Sequence, residues 1–262
     1  MKRIFITGCA RSGSTLLNRL FYAFSDITVI DYEISIDDFC NYKCNTGLLV
    51  GKRTPLTILS VPLSEDEIKR QLELVHNNNM IIINIIRDGR DVVHQNPTGP
   101  IVNVNRWIGC MLQAWEFKKE ISIQVRYEDL VTNPDSILTQ IENVLFVKSK
   151  YKFSEYPDFV PDDVFDEPEY KNYYSYNKRK IDSRSVGHSN DEYNKKCKSE
   201  EQRDFFKRIL IRYGYLNSKS PKDCQWDIET LKQEKIRHKQ DSIKHRYVAI
   251  KKSRLTVNIY GK

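Results

Sequence analysis

The chain has 262 residues, of which 40% are hydrophobic and 29% charged, and a formal net charge of +7. That length supports one substantial globular domain, and no apolar run approaches the roughly 20 residues that span a bilayer. Residues 218–262 hold 12 Lys/Arg against 5 Asp/Glu, so this tail carries the whole positive excess and the remainder is balanced, which argues against a domain that coats nucleic acid.

Taken in chain order, Arg3–Thr7 is apolar and β-branched and reads as a buried strand. A glycine-containing turn, Gly8 to Thr15, follows it. Ser14–Phe24 then places Leu16, Leu17, Leu20, Phe21 and Phe24 at helical spacing. Ile27–Ile30 and Leu48–Val50 are short strands. Ser64–His76 is a helix, its start marked by Ser64 and Glu67 three residues on. Met80–Ile86 is nearly all apolar, the pattern of a strand buried on both faces. Asn103–Lys119 reads as a helix and Ile121–Val125 as a strand. Asn133 and Pro134 open a helix to about Val144, and Glu200–Tyr213 is a late helix stopped by Gly214.

Strands alternating with helices predict a three-layer α/β/α domain with a mostly parallel sheet, over residues 1–217. Within it, 151–190 is a substrate-side or lid segment, opening on a Tyr/Pro/Asp-rich stretch without periodicity. Residues 218–262 form a basic appendage, read as a solvated charged helix with room for contact with an anionic surface. The six cysteines, at 9, 40, 44, 110, 197 and 224, have neither disulfide nor zinc-ligand spacing. Reduced thiols and a cytoplasmic location are expected. The apolar run after Met1-Lys2-Arg3 breaks at Gly8 and Arg11, too soon for a secretory leader.

The chemistry begins in GCARSGST, Gly8 to Thr15. A strand, a glycine-containing turn and a helix make an anion site, because the first helical turn has free N–H groups and glycine lets the backbone approach closely. The nucleotide-phosphate loop of ATPases has a lysine before its final Ser/Thr. Here Ser14 stands in that place, and the base, Arg11, comes three residues earlier. The loop still offers Arg11, Ser12, Gly13, Ser14, Thr15 and Leu16 around a phosphate, but the terminal group it serves should differ. A second anion site is expected past the buried strand, where Arg87 and then Arg90 follow Ile86 at a carboxyl strand end.

GCARSGSTLL resembles the 5′-phosphosulfate loop of sulfotransferases that use 3′-phosphoadenosine 5′-phosphosulfate (PAPS). Three more segments are similar to the family's in the same order: GKRTP (Gly51–Pro55), IIRDGRDVV (Ile85–Val93) and VRYEDLVTNP (Val125–Pro134). RSVGH (Arg184–His188) is a looser fifth likeness, and together they cover about residues 3–215. The resemblance implies a P-loop-like sulfotransferase fold and transfer of a sulfuryl group from PAPS to a hydroxyl acceptor by in-line displacement, without a metal. Its loop type implies a carbohydrate or protein acceptor. It also implies that Arg11 and Lys52 neutralise the leaving phosphate, that Arg87 grips the 3′-phosphate, that Tyr127 lies near the nucleotide, and that Ser185 and Gly187 close over that phosphate. Where the family has a serine eight residues after its arginine, this chain has Gln95, whose amide can also donate.

The base that takes the acceptor's proton is open. Some family members place a histidine two residues after the lysine, where this chain has Thr54. Glu33, in DYEISIDD, leads, with Asp31, Asp37 and Asp38 as competitors. Tyr127 also reads as a core tyrosine and Lys52 as a surface lysine. Arg87 alternatively pairs with Asp88 or Asp91 on a surface turn. Two other functions remain in view: a nucleotide kinase or NTPase, which needs a loop lysine and a strand-end aspartate such as Asp88, and a non-catalytic scaffold that binds anions through its tail.

Overall fold

The computed structural model describes residues 1–53, 65–94, 102–165, 180–187 and 196–217. Five strands form one all-parallel sheet in the order β2-β3-β1-β4-β5: β1 (Lys2–Gly8), β2 (Ile27–Glu33), β3 (Leu48–Arg53), β4 (Ile81–Ile86) and β5 (Ile121–Arg126). The helices are α1 (Ser14–Leu20), α2 (Ile36–Asn41), α3 (Glu65–Asn77), α4 (Gly89–His94), α5 (Val104–Glu116), α6 (Tyr127–Thr132), α7 (Pro134–Leu145) and α8 (Glu200–Arg212). Short 3-10 turns at Phe21–Ala23, Phe153–Glu155 and Asp162–Phe165 complete the regular structure of the described residues.

The central strands carry apolar side chains on both faces, and this makes the layers. Ile4, Ile6, Val50, Ile83 and Ile85 face Leu17 and Leu20 of α1 and Ile137, Leu138 and Ile141 of α7. Their neighbours Phe5, Leu49 and Ile82 face the opposite way, onto Phe39 of α2 and Val75 of α3. Fully burying such a side chain contributes about 1.5–3 kcal/mol, so both helical layers are held by the alternation of the strands themselves. A third cluster lies beyond β4, where Val92 of α4 and Trp107 and Ile108 of α5 pack on Phe206, Ile209 and Leu210 of α8. Trp107 and Phe206 meet edge to face, ring centroids 4.8 Å apart.

Most predicted elements fall where the sequence placed them. β2 and β3 run three residues further than expected, so Glu33 and Lys52 lie within strands rather than after them. The first helix is shorter, passing into a 3-10 turn at Phe21. Asn133 precedes α7 with Pro134 in its first turn, but its side chain makes no cap bond. Gly214 takes φ 72°, the left-handed stop expected after α8. The short helices α2, α4 and α6 are additions to the sequence reading. Ser64, the tail 218–262 and most of 166–195 lie outside the described residues.

Candidate active site

Strand register assembles the site. β1 stands between β3 and β4, so the chain order reverses across it, and ligands of open parallel sheets bind beyond the carboxyl ends at such a point. Gly8 pairs with Ile85, which sets Arg87 beside the loop that leaves β1. Ile86 pairs with Arg126, which sets Tyr127 next to Arg87. On the other side Ile6 pairs with Lys52, and a register shift after Val29 brings Glu33 opposite the same lysine.

The loop from β1 to α1 is shaped by two left-handed residues, Arg11 (φ 71°) and Gly13 (φ 91°). For arginine that conformation is uncommon. It is held by the Ser12 N–H bond to the Cys9 carbonyl at 3.0 Å and by the Arg87 guanidinium, which donates to the Arg11 carbonyl at 3.0 Å. At Gly13 any side chain is excluded twice over: by φ, and because a Cβ would sit 2.8 Å from Cε2 of Tyr127. Gly13→Ala is therefore expected to lower stability by about 1–3 kcal/mol, read from a denaturant midpoint. Ser12 is fully buried, and its Oγ has no hydrogen-bond partner among the described residues. Such an orphaned hydroxyl at the centre of a glycine loop fits an anion that supplies the missing acceptor.

Arg87 is 3% exposed. Besides the Arg11 carbonyl it donates to the Ser185 carbonyl, and its Cζ lies 4.2 Å from the centre of the Tyr127 ring. Its Nε is buried without a hydrogen-bond partner among the described residues. Burial pulls its pKa down, with Tyr127, Asp91 and Glu128 acting in opposition; an arginine stays protonated regardless. A buried guanidinium that keeps an N–H to donate can make a charge-assisted bond to a phosphate. The Tyr127 hydroxyl meets Ser185 Oγ at 2.5 Å, and the Gly187 N–H donates to Asp91 at 2.8 Å. Glu128 accepts the Asp88 N–H at 3.0 Å and the Tyr215 hydroxyl at 3.2 Å, so it braces the turn below.

At the other end Lys52 is 4% exposed. Burial lowers its pKa, Glu33 and Asp31 push it back up, and Arg19 lowers it. Arg19 of α1 holds Asp31 through both Nε and Nη2, the shortest contact 2.7 Å, and also donates to the Val164 carbonyl at 3.1 Å. The phosphate-loop helix is thereby fastened to the end of β2 and to the 3-10 turn at Asp162–Phe165.

No protein-family model matches the chain, and no curated protein does. Solved structures do match. The sulfotransferase domain from the curacin biosynthetic pathway superposes with a TM-score of 0.54 at 17% identity, over 82% of this chain and 98% of that one. The sulfotransferase domain of the Synechococcus PCC 7002 olefin synthase gives a TM-score of 0.52 at 15% identity, over 83% and 96%. The fold is that of the sulfotransferases.

Within this sulfotransferase fold the structure brings together Arg11, Ser12, Gly13, Ser14, Thr15, Leu16, Arg87, Tyr127, Ser185 and Gly187 on the loop side, and Glu33 with Lys52 on the other. Gln95, Thr54 and His188 lie outside the described residues. Lys52 is buried, which removes the surface-lysine reading. The aspartate pairing belongs to Arg90, not Arg87, and it is largely buried: Arg90 grips Asp88 at 2.6 Å and donates to the Tyr215 carbonyl at 3.0 Å. Tyr127 is neither purely core nor free, since its ring lies between Arg87 and Gly13. The competitors of Glu33 are committed elsewhere. Asp31 is bound by Arg19, Asp37 by Arg70, and Asp38 by the Ser35 hydroxyl and N-cap. The roles of Arg19 and Asp91 are absent from the sequence reading, because their partners are set by the fold and not by any local spacing.

Proposed function

We propose that the protein is a PAPS-dependent sulfotransferase that moves the sulfuryl group to a hydroxyl of a carbohydrate or another metabolite. The observation that carries this reading is a pair of separate anion grips on neighbouring strands: a lysine-free loop with the buried, orphaned Ser12 hydroxyl, and the buried Arg87 with its unpartnered Nε. PAPS has anions at both ends of its nucleotide, and a nucleoside triphosphate has them at one.

The residues present fit that donor. Bound there, PAPS supplies a sulfuryl group already activated by its link to phosphate. The loop amides with Ser12, Ser14 and Thr15 hold the 5′ end, and Arg87 with the Ser185–Gly187 turn holds the 3′-phosphate. Lys52 and Arg11 set positive charge where the leaving oxygen becomes anionic, a preorganised arrangement that needs no rearrangement during reaction. Glu33, exposed beside Lys52 at the end of β2, takes the proton of the attacking hydroxyl. A kinase or NTPase reading loses its magnesium candidate, since the Asp88 carboxylate is occupied by Arg90 through both oxygens.

Thermal unfolding with adenosine 3′,5′-bisphosphate, ADP and ATP-magnesium tests the proposal. The bisphosphate at about 100 times its Kd is expected to add about 2.7 kcal/mol of apparent stability, and the other two little. Stabilisation by ATP-magnesium alone would sink the sulfotransferase reading in favour of a kinase. No response to any of the three would favour a scaffold.

A further inference from the structure

We infer that Asp91 is a positioning residue that sets the preference for a nucleotide bearing a 3′-phosphate, by tying the 183–187 turn across Arg87, an inference that rests on the sulfotransferase reading above. Asp91 lies in the first turn of α4 and is 1% exposed. Its carboxylate accepts the N–H of Gly187, 96 residues away, at 2.8 Å. Gly187 has φ 78°, which points this N–H back toward the helix, and the turn is closed by the Val186 N–H bond to the Ser183 carbonyl at 2.9 Å.

Among the described contacts the turn is held to the sheet end by the Ser185 carbonyl on Arg87, the Ser185 hydroxyl on Tyr127, and the Gly187 N–H on Asp91. The first two holding groups belong to the nucleotide grip itself. Asp91, in the first turn of α4, holds the turn from outside the Gly8–Thr15 loop and also lies close enough to Arg87 to offset its charge. The other acidic contact nearby, Asp182 with Arg184, is local, and Arg184 is 73% exposed.

The Ser185 carbonyl fixes one arm of the Arg87 fork, and a fork already fixed loses less freedom when it takes an anion. Without Asp91 the N–H of Gly187, an exposed residue, loses its charged acceptor, and the turn loses one of its ties to the sheet end. The consequence falls on a ligand that uses Arg87. A ligand held only by the Gly8–Thr15 loop is indifferent to it. A carboxylate here also offsets the buried Arg87 charge while no anion is bound.

The test is calorimetric titration of the full chain with adenosine 3′,5′-bisphosphate and with adenosine 5′-monophosphate. Asp91→Ala is expected to bind the bisphosphate about tenfold more weakly, the loss of one charge-assisted hydrogen bond, and the monophosphate as wild type does. Asp91→Asn, whose neutral amide oxygen still accepts the Gly187 N–H without charge assistance, is expected to bind the bisphosphate with an affinity between those of wild type and Asp91→Ala. Should the alanine variant not fold, Tyr127→Phe carries the test: it keeps the ring over Arg87, frees the Ser185 hydroxyl, and is expected to shift the same ratio. An unchanged ratio in Asp91→Ala, or in Tyr127→Phe where that variant carries the test, overturns the role of Asp91 and its turn while leaving the sulfotransferase reading intact. Wild-type protein that does not distinguish the two nucleotides overturns both.

Discussion

Replacing Glu33 by glutamine is expected to lower kcat for sulfuryl transfer by about 10²–10⁴-fold, the range that a positioned general base supplies, and to leave the affinity for adenosine 3′,5′-bisphosphate unchanged. The geometry separates the two effects. Glu33 sits at the end of β2, opposite Lys52 and across β3 and β1 from the end of β4 that carries Arg87, so on the proposed reading it lies away from the 3′-phosphate grip. A second signature reports the charge of Glu33 beside Lys52, independently of the proton transfer. Glu33 is one of two carboxylates that hold the Lys52 pKa up against burial. Removing its charge lets that pKa fall further, so the alkaline limb of the kcat profile is expected to move to lower pH in Glu33→Gln. Full retention of kcat on the acceptor that the wild-type protein sulfates would remove Glu33 from the reaction.

The sequence made some parts of this molecule legible and hid others for physical reasons. β1 and β4 are buried on both faces, so they read as continuous apolar runs. β2 and β3 were truncated because their last residues, Asp31, Tyr32, Glu33 and Gly51, Lys52, Arg53, are mostly polar. The site requires polarity at the carboxyl ends of its strands, so the apolar signal fails where function starts. α4 and α6 are six residues each, too short for a helical period to declare itself.

The candidate site divides in the same way. Arg11, Lys52, Arg87 and Tyr127 each stand at or just past a strand end, and motif spacing finds such residues. The supports of these residues are set by tertiary structure. Arg19 meets Asp31 because α1 lies along β2, and Asp91 meets Gly187 because a distant turn folds back over β4. Neither pair has a local pattern to betray it. Arg87 and Arg90 look alike in sequence, both next to aspartates. Only the register of β4 against β1 and β5 sends the first under Tyr127 and the second to Asp88 and Tyr215.

Lys52→Met is expected to lower kcat by about 10²–10³-fold, the cost of removing one preorganised partner of a developing anion, and yet to raise the melting temperature. Lysine at this position is a functional burden on the fold. Its side chain is 4% exposed, and burial is the leading cause of its lowered pKa. Methionine fills a similar volume without the charge, and the carboxylates it leaves behind can reach water: Glu33 is exposed, and Asp31 keeps Arg19. The pH dependence has a definite sign. A lysine whose folded pKa lies below its ordinary 10.5 binds fewer protons folded than unfolded in the interval between the two values. Stability from this group therefore rises as pH climbs through that interval. Subtracting the unfolding free energy of Lys52→Met from that of wild type, pH by pH, cancels the other titrating side chains. The difference is expected to start negative near neutral pH and shrink as pH approaches 10.5. A flat difference would mean that Lys52 is paired well enough to titrate as it does in water, and that burial of its charge costs the fold nothing that pH can relieve.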